Sequence, residues 1–235
     1  AACPLRRECP DKSFAILEQR DDLGGTWDLF EYPGIRSDSD MFTFGYSFRP
    51  WTETETLADG DAIKNYVRET ANEYDVTETI RFRRRVTKAS WSSRERLWTV
   101  TARREDTGES ETYTARFLLE CTGYYNYEQG HEVDFPGESN FEGPAFHPQK
   151  WPDDLDYTDK KVVVIGSGAT SITLVPAMAE DAEHVTMLQR SPTYVLSMPS
   201  EDRITEWLRQ YLPEWLVYRL TRARNITLQR LIYDL

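Results

Sequence analysis

The stretch from Lys161 to Ser171, KVVVIGSGATS, constrains this chain more than any other. An apolar strand, Val162 to Ile165, runs into the glycine turn Gly166-Ser167-Gly168 and then into helical text. Glycines between a strand and a helix let the backbone N–H groups at the helix N-terminus approach a pyrophosphate. The third position of the G-x-G-x-x-G spacing is Ser171 here, so the motif alone is a modest signal. The next strand, His184 to Leu188, supplies the second half of the deduction. It ends in Gln189-Arg190-Ser191 and not in an acid. An acid there selects the free 2′-hydroxyl of NAD, whereas an arginine pairs with the 2′-phosphate of NADP.

A second nucleotide-binding pattern lies near the start. Residues 1 to 10 read as the tail of a helix ended by Pro10, and Ser13 to Leu17 as an apolar strand closing on Glu18. An acid at that strand end accepts hydrogen bonds from a ribose diol, or it is simply a surface acid; both readings stand. Gly24-Gly25 either allows close backbone approach to a flat ligand or makes an ordinary turn. Tyr32-Pro33-Gly34 has turn chemistry, and Arg36-Ser37-Asp38 follows it. Alone in a polar loop, Asp38 reads as a cap or turn residue. The fold class expected is α/β, with two Rossmann-like dinucleotide-binding units, both incomplete. No strand and glycine turn precede the first helix, so the chain is expected to enter inside that unit.

The middle of the chain carries structure more than chemistry. Asp59 to Tyr74 spaces Ile63, Tyr66, Val67, Thr70 and Tyr74 by three and four, which predicts a helix. Arg81 to Arg85 is a basic run, but a net charge of −12 over the whole chain argues against nucleic acid and for a solvated strand edge. Alternation in Leu97 to Ala102 and in Thr112 to Phe117, across Glu105-Asp-Thr-Gly108, predicts a hairpin. Phe117 to Leu119 reads as a buried strand leading to Cys121-Thr122-Gly123. Cys3, Cys9 and Cys121 have no metal-like spacing and form no redox pair, which argues against a disulfide reductase and fits a reducing cytoplasm. No metal is expected. No apolar run reaches about 18 residues, and the first residues lack the apolar core of a signal peptide. Pro176 falls inside the expected second-unit helix and should kink it. From Ser200 the text turns helical, with Ile204, Trp207, Leu208 and Tyr211 forming one apolar face and Leu216 and Leu220 another.

Phe141-x-Gly143-x-x-x-His147-x-x-x-Trp151-Pro152, just before the second glycine turn, resembles the signature loop of Baeyer–Villiger monooxygenases. These flavoenzymes use NADPH and O2 to turn ketones into esters. Trp151 stands where related flavin-containing monooxygenases carry Tyr. WDLFEYPGIRSDSDMFTFGYSFRPW and VTMLQRSPTYV look like the ethionamide-activating branch. The resemblance implies FAD contacts from Glu18, Thr26, Trp27, Asp28, Leu29, Asp38, Phe44 and Val86. It implies NADP contacts from Arg36, Ser37, Asp38, Gly166, Ser167, Gly168, Ala169, Thr170, Ser171, Ile172, Thr173, Arg190 and Ser191. Asp38 would orient a catalytic arginine lying beyond Leu235. His147, Trp151 and Pro152 would stiffen the link between domains, and His147 is read as structural rather than as a general base. Residues 1–150 would form a partial FAD domain with an antiparallel insert around 80–120, and 151–235 a partial NADP domain with a helical insert from about 200. The implied reaction passes through a C4a-peroxyflavin that attacks a ketone or a sulfide, and the chain as written would be inactive or nearly so. Two rivals remain open: an N- or S-oxygenating flavin monooxygenase, and a non-catalytic NADP-binding module.

Overall fold

The computed structural model describes residues 1–131, 133–195 and 199–234. Its elements in chain order are α1 (Ala2–Glu8), β1 (Ile16–Leu17), α2 (Thr26–Leu29), α3 (Met41–Phe44), α4 (Gly60–Glu73), β2 (Ile80–Arg81), β3 (Arg84–Ser92), β4 (Leu97–Arg104), β5 (Ser110–Ala115), β6 (Lys161–Ile165), α5 (Ala169–Met178), β7 (His184–Leu188), α6 (Arg203–Arg209) and α7 (Glu214–Tyr233). They fall into two compact units, Ala1–Leu29 with Lys64–Glu128, and Phe30–Ile63 with Gln129–Leu235. Each unit holds one parallel strand pair, β1 with β2 and β6 with β7, as partial Rossmann-like units should.

In the first unit, Leu23, Ala71 and Val76 form a small core, with Ile16, Val67, Ile80 and Phe82 packed on it. The strand expected over Ser13 to Leu17 is only Ile16–Leu17, because β2 pairs with those two residues alone. Helix α4 forms where the three-and-four spacing places it, and Asp59 starts it by accepting the Ala62 N–H (2.7 Å). The expected hairpin is β4–β5, joined to β3 in an antiparallel meander. The basic run is neutralised locally. Arg83 pairs with Asp21, Arg84 with Glu111, and Arg85 with Glu128.

Phe117 to Leu119 corrects the sequence reading. Those residues form no strand, and Phe117 is 86% exposed. Apolar text signals a wish for burial, but a strand also needs a neighbour to complete its backbone hydrogen bonds, and none of the described strands pairs there.

In the second unit, α5 packs on β6 and β7. Its contact side carries Val164 and Leu174, while Val163, Ile165 and Leu188 on the opposite side are exposed. Helix α5 runs on through Pro176 and ends two residues later, at Met178. Helices α6 and α7 form, but with their faces turned from the expected ones. Ile204, Trp207 and Tyr211 are exposed, and the contact side of α6 is Thr205, whose hydroxyl bonds that of Thr221 on α7 (2.8 Å). On α7 the buried residues are Val217, Tyr218, Thr221 and Asn225; Leu220 is exposed. Among the described residues no helix is long and apolar enough to cross a membrane.

Candidate nucleotide-binding site

The glycine turn leaves the sheet at the carboxyl edge of β6. Gly166 donates its N–H to Leu188 O (2.8 Å), so the turn and the end of β7 share that edge. Gly166 has φ +131°, a conformation that side chains rarely adopt, and a Cβ there would lie 3.3 Å from Ser171 Oγ. Ser171 is buried, so its hydroxymethyl group fits the close helix–strand contact where the motif usually has Gly or Ala. A Cβ on Gly168 would meet nothing within 4 Å, so the space before α5 is open. No side chain caps α5, and the first helical bond comes only from Ile172 N–H to Gly168 O (3.1 Å). The N–H groups of Gly168 to Ser171 are therefore available for an anion.

Two hydroxyls tie this turn to the chain beyond β7. Ser167 Oγ donates to Ser191 O (3.2 Å), and Thr193 Oγ1 donates to Ser167 O (2.7 Å). Arg190, immediately before the first of those anchors, is exposed and makes no hydrogen bond or ion pair among the described residues. A cation with no counter-charge among the described residues thus stands at the edge where the helix start is uncapped. Thr173 is buried a turn further along α5, its Oγ1 donating to Thr170 O (3.1 Å).

The loop from Tyr32 to Asp59 belongs to the same unit. Gly34 seats it against α5. Arg36 bridges to Asp59, and Ser37 turns inward, donating its N–H to Ala58 O (2.8 Å) and accepting the Ala58 N–H on Oγ (3.1 Å). Ser37 is thus fully engaged with the protein, while Arg36, Asp38 and Phe44 are exposed.

In the first unit Glu18 closes β1. Its Oε1 accepts the Arg20 N–H (2.9 Å), and Oε2 has no protein donor among the described residues. Gly24 and Gly25 both have positive φ and lead into the single helical turn α2. Asp28 on that turn is the hub of an ion cluster: Arg20 Nε lies 2.6 Å from Oδ2 and Lys64 Nζ 2.5 Å from Oδ1. Lys64 also reaches Asp22 (3.2 Å), which pairs with Arg68 (2.7 Å). Burial alone would raise the Asp28 carboxyl, but the bonds from Lys64 and Arg20 outweigh it and hold the group below its ordinary 3.8. A carboxylate whose folded value is depressed stabilises the fold above its unfolded value and loses that contribution as pH falls through the folded one. Asp28→Asn should therefore cost about 2 kcal/mol at pH 7 and flatten the loss of stability below about pH 4, both read by urea denaturation across pH. An unchanged acid slope would show that Asp28 does not anchor α2.

One glycine of the signature loop, Gly143, and one upstream of it, Gly130, lie beneath rings of the loop. A Cβ on Gly143 would lie 2.7 Å from Phe141 Cζ, and one on Gly130 would lie 2.2 Å from His147 Nδ1, so each ring rests directly on a glycine. His147 Nδ1 accepts the Gln149 N–H (3.1 Å), with Pro148 starting the short 3-10 turn Pro148–Lys150. Trp151 packs edge-on against Phe146 and Tyr157. The His147 ring thus lies over Gly130 and at the start of the 3-10 turn.

A family model described as flavin-binding monooxygenase-like matches residues 12–221. The chain belongs to this family. MymA of Mycobacterium tuberculosis is 57% identical over 237 residues, covering 99% of this chain and 48% of MymA. The FAD-containing monooxygenase EthA of the same organism is 52% identical, covering 100% of this chain and 48% of EthA. The chain therefore spans about half the length of these relatives. Among solved structures, cyclohexanone monooxygenase from Rhodococcus sp. Phi1 bound to NADP+ matches with a TM-score of 0.70 and 28% identity, over 85% of this chain and 37% of that one.

The candidate residues sort by unit. Gly166 to Thr173, Arg190 and Ser191 gather at one sheet edge, with Arg36, Ser37, Asp38 and Phe44 in the same unit. Glu18, Thr26 to Leu29 and Val86 lie in the other, Val86 exposed at a bulge in β3. Sequence reasoning missed Arg20 and Lys64, which fix Asp28, and Gly130, which receives the His147 ring. Nothing local marks them; each acts on a residue distant in the chain.

Proposed function

We propose that the protein is an FAD- and NADPH-dependent monooxygenase that inserts one oxygen atom from O2 into ketones to give esters, and that it also oxygenates sulfides. The observation that carries this reading is Arg190, without a counter-charge among the described residues, near the open start of α5, a cation whose chemistry suits a 2′-phosphate. The N–H groups of Gly168 to Ser171 would hold the NADP pyrophosphate, with Ser191 beside Arg190. Glu18, with Oε2 open, would take the flavin's adenosine ribose, and Thr26 to Leu29 would lie along the flavin. On this reading 1–150 serve the flavin and 151–235 the NADP.

Bound flavin supplies oxygen activation; the chain's own residues bind and orient. Exposed Asp38 would fix a guanidinium through paired hydrogen bonds, a device that stabilises a developing oxyanion by about 3–4 kcal/mol per donor. The names of the relatives support the cofactors, and the name cyclohexanone monooxygenase supports a ketone substrate.

The test is to express the complete reading frame, load it with FAD, and supply NADPH, 18O2 and a panel of ketones, sulfides and amines. Labelled ester is expected from ketones. Label in amine or sulfide products without ester would favour the soft-nucleophile oxygenase, and NADPH binding without any oxygenation would favour a binding module.

A further inference from the structure

Asp40 is a buried carboxylate that the cofactor reading leaves unused. It is 4% exposed. A charge this deep needs several donors, and Asp40 has them without a Lys or Arg among them. It accepts from Thr43 N–H (3.1 Å), Thr43 Oγ1 (2.5 Å), Asn225 Nδ2 (2.8 Å) and Gln229 Nε2 (3.1 Å). The last two come from α7, some 185 residues further along the chain. One turn earlier on α7, Arg222 Nη1 donates to Phe42 O (2.7 Å) and Thr43 O (3.1 Å). Arg222, Asn225 and Gln229 are spaced three and four apart, so one stripe of α7 grips both the side chain before α3 and the carbonyls within it.

The grip lies two residues from Asp38. On the other side of Asp38, Ser37 is pinned to Ala58 by two hydrogen bonds, and beyond Asp40 the Met41 N–H donates to Thr56 O (2.8 Å). Asp38 and Ser39 are thus an outward-facing step between two inward anchors, Ser37 and Asp40. Two of the four donors to the second anchor, Asn225 and Gln229, come from α7.

We propose that Asn225, with Gln229 and Arg222, is a positioning residue: α7 sets the placement of Asp38 through Asp40, and so governs oxygenation turnover without touching the 2′-phosphate end of NADPH. This rests on the functional reading given above for Asp38. A neutral donor suits the task, since an amide orients a carboxylate through a directional bond, whereas Asn225→Asp would oppose two carboxylates.

The test uses the full-length protein carrying Asn225→Asp, the exchanged pair Asp40→Asn with Asn225→Asp, and the milder Gln229→Met. Amide hydrogen exchange at Ser37, Met41 and Thr43 should quicken about tenfold or more in Asn225→Asp, less in Gln229→Met, and return toward wild type in the exchanged pair. Turnover should fall by about tenfold in Asn225→Asp and recover in the exchanged pair, while affinity for adenosine 2′,5′-bisphosphate, which lacks the nicotinamide, stays unchanged. Unaltered exchange in Asn225→Asp and Gln229→Met would overturn the latch. Faster exchange with unaltered turnover would overturn the positioning role alone. A wild-type protein that oxygenates nothing would bring down the functional reading and this role for Asn225 with it, while the exchange data would still judge the latch.

Discussion

Gly34→Ala should destabilise the second unit by about 2–5 kcal/mol, which is a large part of the stability of an ordinary domain. Gly34 has φ +79°, and a Cβ there would stand 2.6 Å from Thr173 O and 2.7 Å from Ala177 Cβ. The left-handed conformation costs an L-residue about 1–2 kcal/mol, and prising the loop off α5 adds about 1–3 kcal/mol of overpacking. The clash is with helix backbone, which has no rotamer to yield. Gly108 supplies the control: its φ is +76°, but a Cβ there meets nothing within 4 Å. Gly108→Ala should therefore show the conformational cost alone, about 1–2 kcal/mol. Chemical denaturation gives the two values, and exchange at α5 amides assigns the Gly34 loss to the second unit. Equal losses at the two positions would mean that the loop does not bear on α5.

Arg190→Ala should weaken NADPH binding by roughly 30- to 150-fold and leave NADH binding as it was. The estimate follows from about 2–3 kcal/mol for a hydrogen-bonded charge pair, at tenfold per 1.4 kcal/mol. Among the described residues the guanidinium has no ion pair to break, so little of that gain is spent in releasing it. Arg190→Lys should recover only part, because an ammonium is a point charge and lacks the planar fork that matches a phosphate. Calorimetric titration of both nucleotides into both variants measures this. If NADH and NADPH lose affinity alike, Arg190 supports the turn and does not read the 2′-phosphate.

Both effects begin from glycines and charges that sequence alone could flag, yet the flags differ in what they conveyed. The strand–turn–helix at Lys161 to Met178, helix α4 and the β4–β5 hairpin were legible because each is specified by neighbours within a few residues. Periodicity of two or of 3.6 is a record of which local hydrogen bonds the chain will make. The position of Arg190 was legible for the same reason, two residues past the end of a strand.

Burial was the harder matter. Two acids two residues apart, Asp38 and Asp40, look alike in the text, and only the arrival of Asn225 and Gln229 makes one a buried anchor and leaves the other facing outward. The apolar stripe Ile204, Trp207 and Tyr211 reads as a packing face, but the contact that forms is between two threonine hydroxyls, Thr205 and Thr221. Phe117 to Leu119 reads as a strand and pairs with nothing described. The sequence by itself determined the local elements, the glycine turn and the basic residue that follows β7, since these depend on backbone geometry and side-chain chemistry at short range. Only the tertiary structure decided which polar groups are buried, which apolar faces are covered and which glycines lie beneath a ring. Those outcomes depend on atoms brought from far along the chain, and no local pattern encodes that approach.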